Sequence, residues 1–590
     1  MKRPGHKVIV LLASVGLIVG RASADPMTEW RYLDPYPSKH ASDMPVPQPT
    51  IARAQVRDAV AAIGLPTVRL AYIIPSNRTA QANAVEKMRS MIIDNQNWYR
   101  DQFDRHGFGP KTFRVEMEAD GVTPRVHVQN VPETDDYLRG DLWGRTIQAA
   151  SDAGITTWSS GEVWVLVPEA HLQASNGSIT GGTALGASFG SGTDPGVAML
   201  GSDALARWAS GMFTDDRAYQ NLIIPEIGPF FLQQSVSFPS FEGNTVSSVS
   251  SSVRGASAHE MSHAFGLPHD FRNDANFHGN LMGNGLRGYR GNFFPARYVA
   301  DHTRLSYAAA LALNVSRYFN SEVGETTKPT VSNVTSGAVS IVNGQISISF
   351  TASDSSGLAG AWLTRSGDLV GEMPLVGANL TRQFTTSYFT SGAANDYSIS
   401  VFDRLGNKQS VNTTITPASG PNRAPQPSIK VDSPVPLAGE TVVLNACAST
   451  DPESSVSTLR VEWDLNADGV FDTAPTTTKT FNLVLPFHES RYVLARVSDP
   501  SNATAISTRV AIHAHRPPLS ISLLPGAIIE FSWLSKLGCI YQPQRSPTLD
   551  GWTAGGFVPL RGNGAQLRAQ EGMAADAAGF YRVVISKANN

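Results

Sequence analysis

Apolar positions in the first 320 residues change their period several times. Residues 69–74 and 163–167 are short continuous apolar runs, which are typical of strands buried on both faces. Residues 113–117 alternate between apolar and polar, as a further strand does. Residues 81–106 and 303–319 have apolar positions at spacings of three, four and seven, which predicts two helices. Helices and strands mixed in this way predict an α/β or α+β domain.

The remaining sequence is dominated by strand-like alternation. Ile346, Ile348, Phe350 and Ala352 share one predicted face, and turn-forming residues separate such runs, which favours an antiparallel sandwich over 329–416. Strand patterns continue to the C-terminus. The predicted fold class is therefore multidomain, with an α/β (α+β) domain followed by three all-β, immunoglobulin-like sandwich modules.

Proline-rich seams give the boundaries of these units. Stretches near residues 325, 420 and 517 contain Pro and no hydrophobic periodicity, so each is interpreted as a linker or a domain edge. The predicted units are an α/β domain at 66–324 and β-modules at 329–416, 426–514 and 519–590.

The N-terminus has the pattern of a secretory signal peptide. Three basic residues precede an apolar run at 8–19, and Ala22 to Ala24 are small residues suited to cleavage. The run is shorter than the about 20 residues that span a bilayer. We therefore expect residues 1–24 to be removed near Ala24 and the protein to be secreted or extracytoplasmic, with no membrane span in the mature chain. Residues 25–65 are a pro-segment or an N-terminal wrap.

Composition excludes several classes of protein. Lys and Arg number 47 against 50 Asp and Glu, and charged residues make up 16% of the chain, which excludes a basic nucleic-acid binder and a highly charged disordered chain. The two Cys residues exclude a disulfide scaffold. Cys447 and Cys539 could bridge in an exported protein, or each could be a buried free thiol.

One motif, HEMSHAFGLPHD at 259–270, carries specific chemistry. On a helix, His259 and His263 lie one turn apart on the same face, so both imidazoles can reach one ion. Gly266 can adopt a left-handed conformation and end the helix. The chain then turns and returns His269 as a third ligand.

Three histidine ligands leave a fourth tetrahedral position for water, the arrangement of a catalytic zinc. Glu260, adjacent to the first ligand, can accept a proton from that water and pass it to a leaving amine. Two alternatives stay open. The histidines could make ordinary hydrogen bonds in a buried helix, or they could hold a structural zinc.

The stretch resembles the metzincin clan of zinc endopeptidases, whose pattern is HExxHxxGxxH followed by a methionine turn. The resemblance implies that His259, His263 and His269 bind Zn²⁺ and that Glu260 is the general base. Residues 280–285 resemble the turn.

Met282 of this turn would be an apolar floor beneath the ligands. Asp270 would hold a second-shell hydrogen bond or cap the turn. The His-Asp pair at 269–270 is similar to the reprolysin group, whereas the turn is similar to pappalysin-like bacterial enzymes. Some members have a Tyr two positions after the methionine, where this chain has Asn284, and the nearest Tyr is Tyr289.

The stretches ASTDP at 448–452, EWDLNADG at 462–469 and YVLARVSD at 492–499 carry a second resemblance. Through them, residues 426–514 resemble a PKD domain, in which Trp463 would fill the core. Asp464, Asn466 and Asp468 also match the start of an EF-hand loop, but the twelfth position is Pro475. A tight hairpin is the favoured interpretation, and weak Ca²⁺ binding is the alternative. The β-modules are expected to contact a cell surface or matrix.

Together these features predict an exported zinc-dependent endopeptidase that hydrolyses peptide bonds of proteins or peptides by a zinc-activated water and the Glu260 base. The alternative is an extracellular adhesin whose metzincin-like domain is inactive. The glycine-rich run at 175–201 is either an edge strand with loops lining a substrate cleft or a flexible insertion.

Overall fold

The computed structural model of the chain describes most residues from 66 to 588. The gaps are 158–160, 174–178, 183, 189–194, 207–229, 232–236, 239–244, 274–277, 321–325, 421, 434, 486–488, 518, 527, 548–550 and 573–579. The predicted signal peptide (1–24) and the pro-segment or wrap (25–65) lie outside the described residues.

The N-terminal part combines helices with short strands. Its helices are α1 (Ala84–Arg105), α2 (Asp135–Arg139), α3 (Leu142–Asp152), α4 (Ser202–Ala206), α5 (Val246–Ala264), α6 (Tyr289–Phe293) and α7 (Tyr307–Val315). Its strands are β1 (Thr67–Pro75), β2 (Val126–Val131), β3 (Glu162–Pro168), β4 (Leu172–Gln173), β5 (Ile179–Thr180), β6 (Ala184–Ser188), β7 (Gly196–Leu200), β8 (Phe230–Phe231), β9 (Ser237–Phe238), β10 (His278–Asn280) and β11 (His302–Arg304).

A five-stranded sheet in the order β2-β1-β3-β7-β6 organises this part. Four strands are parallel, and β6 runs antiparallel to β7 at the edge. Leu70 and Tyr72 of β1 pack on the side of α1 and α5, whereas Ala71 and Ile73 pack on the side of α3. Because both faces are covered, the strands are continuously apolar, as the sequence pattern predicts.

Two predicted elements differ from those in the structure. Residues 113–117 form isolated bridges, Val115 with Val68 and Met117 with Pro124, and no extended strand. Of the residues 303–319 that were predicted to be helical, only α7 is a helix. It begins after Ser306, whose side chain caps the N-terminus by accepting a hydrogen bond from the Ala309 N–H at 3.3 Å. The residues before this cap form β11, which pairs in parallel with β10.

The C-terminal region is rich in β-sheet. The first β segment contains β12 (Thr330–Ser332), β13 (Gly337–Val339), β14 (Ile346–Arg365), β15 (Asp368–Thr386), β16 (Asn395–Asp403) and β17 (Lys408–Pro417). The second contains β18 (Lys430–Val431), β19 (Thr441–Asn445), β20 (Arg460–Asp464), β21 (Thr480–Val484), β22 (Glu489–Ser498), β23 (Thr504–Ile506) and β24 (Val510–Ala514). The third contains β25 (Ser520–Leu524), β26 (Ile528–Leu534), β27 (Cys539–Ser546), β28 (Leu560–Arg561), β29 (Gln566–Gly572) and β30 (Phe580–Lys587).

Each β segment has its own apolar cluster. The alternating residues Ile346, Ile348 and Phe350 are fully buried in the first, and Trp463 is buried in the second, as their patterns predict. A helix-containing α/β part is thus followed by a large β-rich region. The predicted unit boundaries near 325, 420 and 517 stay predictions.

The β segments also pack against the α/β part. Trp362, Leu369 and Phe402 of the first segment and Leu537 of the third belong to the same buried cluster as α1, α5 and α7. The ammonium of Lys536, 1% exposed, lies 3.5 Å from the Asp101 carboxylate on α1. The segments are therefore joined to the α/β part through its core.

Three further features test minor sequence predictions. Cys447 is exposed and Cys539 is buried, and both are free thiols. The side chains of Asp464 and Asp468 accept hydrogen bonds from N–H groups of their own turn, which fits a tight turn and gives Ca²⁺ binding no support. Among the described residues, no helix has the length and apolar character needed to cross a membrane.

Candidate metal and catalytic site

Helix α5 carries the whole HExxH part of the motif, residues 259–263, through the interior of the α/β part. A capping box begins it: Thr245 Oγ1 accepts from the Ser248 N–H at 3.2 Å, and Ser248 Oγ accepts from the Thr245 N–H at 3.1 Å. Almost every residue of this helix is buried. Its position is therefore set by packing on all sides.

Two glycines set the distance between α5 and the sheet. A Cβ on Gly186 of β6 would lie 2.1 Å from the carbonyl oxygen of Glu260, and one on Gly196 of β7 would lie 2.2 Å from that of Ala264. Both contacts are far too short for any side chain. The glycine run thus forms strands that support the helix, which agrees with the edge-strand alternative and not with a flexible insertion for the described part of 175–201.

The end of α5 follows the prediction made for Gly266. This residue has φ +89°, in the left-handed region, and its N–H bonds the His263 carbonyl at 2.9 Å while the Leu267 N–H bonds the Ser262 carbonyl at 3.0 Å. These two bonds form a Schellman motif, which stops the helix and reverses the chain. His269 returns toward the helix as a result.

The three histidines converge on one point. His263 Nε2 lies 3.1 Å from the Nε2 atoms of both His259 and His269. The Nδ1 atom of His259 bonds the Leu281 carbonyl at 2.6 Å, and that of His263 bonds the Leu267 carbonyl at 2.9 Å. Because carbonyls only accept, these Nδ1 atoms carry the protons and the Nε2 lone pairs face one another.

This donor set fits a zinc ion. Two nitrogens held at 2.0–2.1 Å by one tetrahedral ion are about 3.3 Å apart, close to the separations in this cluster. Converging lone pairs repel one another, and a cation removes that repulsion. Burial, followed by the nearby His269, lowers the pKa of His259 to about 3, so this ring is neutral at physiological pH, as a metal ligand must be. Among the described residues, His259, His263 and His269 are the group able to hold a metal ion.

Glu260 and Met282 are both buried in the interior of the α/β part. Glu260 is 1% exposed and follows His259 on α5, and Met282 is 2% exposed within the main apolar core. The turn at 280–285 contacts the site through its backbone. The carbonyl of Leu281 orients His259, and the carbonyl of Met282 accepts a hydrogen bond from the Asp270 N–H at 2.9 Å.

Asp270 organises the loop that follows His269. Its carboxylate accepts from Arg272 Nε and Nη2, both at 2.9 Å, and from the Arg272 backbone N–H at 3.2 Å. Arg272 also donates from Nη1 to Glu372 of the first β segment. The sequence pattern predicts no role for Arg272 or Glu372, because no feature of the motif indicates a partner one hundred residues away.

Tyr289 and His278, which are close to the motif in sequence, lie outside the histidine cluster. The hydroxyl of Tyr289 donates to Asn95 Oδ1 at 3.0 Å, and its ring packs against Trp98, so Tyr289 is a core residue. His278 is buried in β10, where its Nδ1 bonds the Ala300 carbonyl at 3.0 Å and its Nε2 accepts from Arg304 at 3.0 Å. His278 is therefore outside the histidine cluster.

A family model named Metallopep and described as "Putative peptidase family" matches residues 71–273, a span that includes the histidine cluster and Glu260. A metallopeptidase match implies a metal ion, and the three histidines are placed to hold it. No curated protein matches the chain.

Several solved structures are similar over part of the chain. Wild-type OgpA from Akkermansia muciniphila is 13% identical with a TM-score of 0.38, covering 60% of this chain and 96% of that one. Catalytically inactive OgpA in complex with an O-glycopeptide, glycodrosocin, is 14% identical with the same TM-score and coverage. Fibronectin(III)-like modules of Clostridium thermocellum CbhA are 15% identical with a TM-score of 0.14, covering 32% of this chain and 93% of that one. These values are too low to carry a site or a substrate over to this chain.

Proposed function

We propose that the chain is an exported, zinc-dependent endopeptidase of the metzincin type. The observation that carries the proposal is the convergence of three histidine Nε2 atoms, two of them on the helix that also carries the buried Glu260. The peptidase-family match over residues 71–273 supports the same chemistry. His259, His263 and His269 are the proposed zinc ligands, and Glu260 is the proposed general base.

The chain's own residues would transfer the protons and orient the ligands in the proposed hydrolysis. When bound, zinc supplies Lewis acidity, which polarises a substrate carbonyl and makes water a stronger acid. Glu260 accepts the proton that a water loses as it attacks the peptide carbonyl. It then donates this proton to the departing amine, so that one residue acts as base and afterwards as acid. Leu281 and Leu267 keep the Nδ1 protons of His259 and His263 in place and their Nε2 atoms available.

The edge strand β6 is a suitable place for an extended substrate. It lies against α5 at Glu260, and its pairing among the described strands is with β7 alone. A peptide that added to the outer edge would place its backbone beside the histidine cluster, with main-chain hydrogen bonds supplying affinity. Protein and peptide substrates are therefore proposed.

The proposed architecture is a peptidase domain at 66–324 followed by an immunoglobulin-like sandwich at 329–416, a PKD-like domain at 426–514 and a C-terminal β-module at 519–590. Cleavage after Ala24 would deliver the chain outside the cytoplasm. N-terminal sequencing of the exported protein tests this directly, since a mature N-terminus at Asp25 is expected and an intact Met1 would contradict export by this signal.

Activity is tested by hydrolysis of a protein substrate by the wild type, by the wild type with a zinc chelator, and by Glu260→Gln. The chelator should abolish turnover, and Glu260→Gln should lower kcat by about 10²–10⁴-fold because it removes the proton acceptor. Zinc analysis is the control, since Glu260→Gln should retain one zinc per chain.

Equal activity in all three samples would contradict the peptidase proposal. One bound zinc without turnover on any substrate would favour the alternative of a binding protein with an inactive domain. The substrate panel should include an unmodified protein, an unmodified peptide and an O-glycosylated peptide, the ligand class present in the OgpA complex.

A further inference from the structure

The loop that carries the third histidine is bonded to the first β segment. The backbone N–H of Leu369, at the start of β15, donates to the carbonyl of His269 at 2.8 Å. His269 and Asp368 form a parallel β-bridge at the same point. The main chain of the third proposed ligand therefore continues the hydrogen bonding of a strand that lies about one hundred residues later in the sequence.

A buried chain of charged groups reinforces this contact. Arg272 holds Asp270 through two hydrogen bonds of 2.9 Å and reaches across to Glu372 with its remaining nitrogen. The side chains of Arg272 and Glu372 are each 7% exposed. The other oxygen of Glu372 accepts from Thr508 Oγ1 of the second β segment at 2.7 Å. The loop is thus connected through one glutamate to two β segments.

Further bonds hold the two ends of the same loop. At its start, Lys408 Nζ of β17 lies 3.5 Å from the Gly266 carbonyl oxygen. At its end, Asn273 has φ +53°, and its Oδ1 accepts from the Ile429 N–H at 2.8 Å. The loop from Gly266 to Asn273 therefore has partners from the β-rich region along its length.

His263 and His259 are fixed by their helix, whereas His269 depends on this loop. An ion bound by three imidazoles dissociates more easily once one imidazole has moved away from it. The dissociation rate of the ion should therefore depend most on the ligand whose backbone is outside regular secondary structure. Partners outside the ligand set commonly change metal affinity by about 10–100-fold when they are removed. The residues of the β-rich region that contact the loop Gly266–Asn273 are partners of this type, because they hold a ligand without binding the ion.

We propose that Glu372, with the Leu369 amide, is a positioning element for the metal site, so that the first β segment fixes the third zinc ligand through the loop Gly266–Asn273. This inference rests on the proposed zinc site. It assigns the first β segment a role inside the site, beyond the spacing or surface contact expected of such modules.

The direct test is Glu372→Gln in the full-length chain, with the rate of zinc loss to a chromogenic chelator as the readout. Loss of the charge on Glu372 weakens its bond to Arg272 and so removes the ion pair that ties the loop to β15, and zinc should be lost about tenfold faster. Glu462→Gln is the matched control, because Glu462 also accepts two bonds from an arginine, Arg496, within the second β segment. A rate for Glu372→Gln equal to those of wild type and Glu462→Gln overturns the proposal.

A measurement on the wild type keeps the proposal testable if the variant fails to fold. Since the His269 carbonyl binds the Leu369 N–H, zinc should slow hydrogen exchange in the peptide spanning 366–373 by linkage. A peptide at 460–464, whose strand pairs with β22 within the second segment, should be unaffected. Equal exchange at 366–373 with and without zinc overturns the inference. Zinc binding with slowed exchange but no turnover would refute the peptidase proposal and leave this inference standing.

Discussion

Gly186→Ala is predicted to damage the proposed active site without replacing any proposed catalytic residue. A Cβ at this position would lie 2.1 Å from the carbonyl oxygen of Glu260, 2.8 Å from its carbonyl carbon and 2.9 Å from its Cα. All three are backbone atoms of α5, so no side-chain rotation can relieve the clash. The strand and the helix must move apart.

The size of that movement follows from contact distances. A carbon and a carbonyl oxygen approach to about 3.3 Å, so β6 and α5 must separate by about 1.2 Å. Overpacking of this kind typically costs about 1–3 kcal/mol of stability. A displacement of about 1 Å at a catalytic group can lower the rate about 10²-fold, which equals about 2.7 kcal/mol of activation free energy.

The assay is kcat/KM on a peptide substrate, with urea unfolding measured in parallel. Gly572→Ala is the control, because Gly572 also lies in a strand, β29, and nothing lies within 4 Å of the added Cβ. This control should keep wild-type activity. Wild-type kcat/KM together with wild-type stability in Gly186→Ala would show that Gly186 does not set the helix–sheet distance.

Two further predictions concern the junction between the α/β part and the β segments. The carbonyl of His106, which follows α1, accepts a hydrogen bond from the Tyr492 hydroxyl of the second β segment at 2.9 Å. Burial lowers the pKa of the His106 imidazole to about 4, so its stabilisation of the fold is complete above pH 6.5 and is lost as the pH falls from 6.5 toward 4. Between pH 6.5 and pH 4, the free energy of unfolding in urea should therefore fall by up to about 3 kcal/mol more for wild type than for His106→Gln. Parallel pH profiles of the two proteins would show that His106 does not cause this loss. A chain that ends at residue 517 lacks Leu537, one of the main-core residues, and burial of such a side chain contributes about 1.5–3 kcal/mol. Its α/β part should unfold at a lower urea midpoint, as followed by tryptophan fluorescence, and an unchanged midpoint would show that the third segment is independent.

The site was predictable where its chemistry is local. Gly266 ends α5 in the left-handed conformation, and His259 and His263 share one helix face, because helix geometry and the conformational freedom of glycine depend on few neighbours. The central strands β1 and β3 were predictable for a similar reason, since burial on both faces leaves a continuous apolar run. The proposed roles of these histidines and of Glu260 stay predictions until they are assayed.

What could not be predicted depends on contacts between distant parts of the chain. Arg272 is one arginine in an unremarkable loop, and Glu372 lies on a strand that by its pattern belongs to another unit. The alternating stretch at 113–117 forms only isolated bridges, and residues 302–304 pair with β10 instead of extending α7. In each case tertiary pairing overrides a local pattern.

The separation of Arg272 and Glu372 along the chain also has a consequence in time. The two partners are 100 positions apart in the sequence, and synthesis at about 5–20 residues per second takes about 5–20 s to cover that distance. During this interval the third histidine already exists, but the strand that holds its loop does not. An unfinished chain therefore has the complete sequence motif before it can form the support described for His269. Completion of β15 sets the earliest moment at which the finished geometry can form.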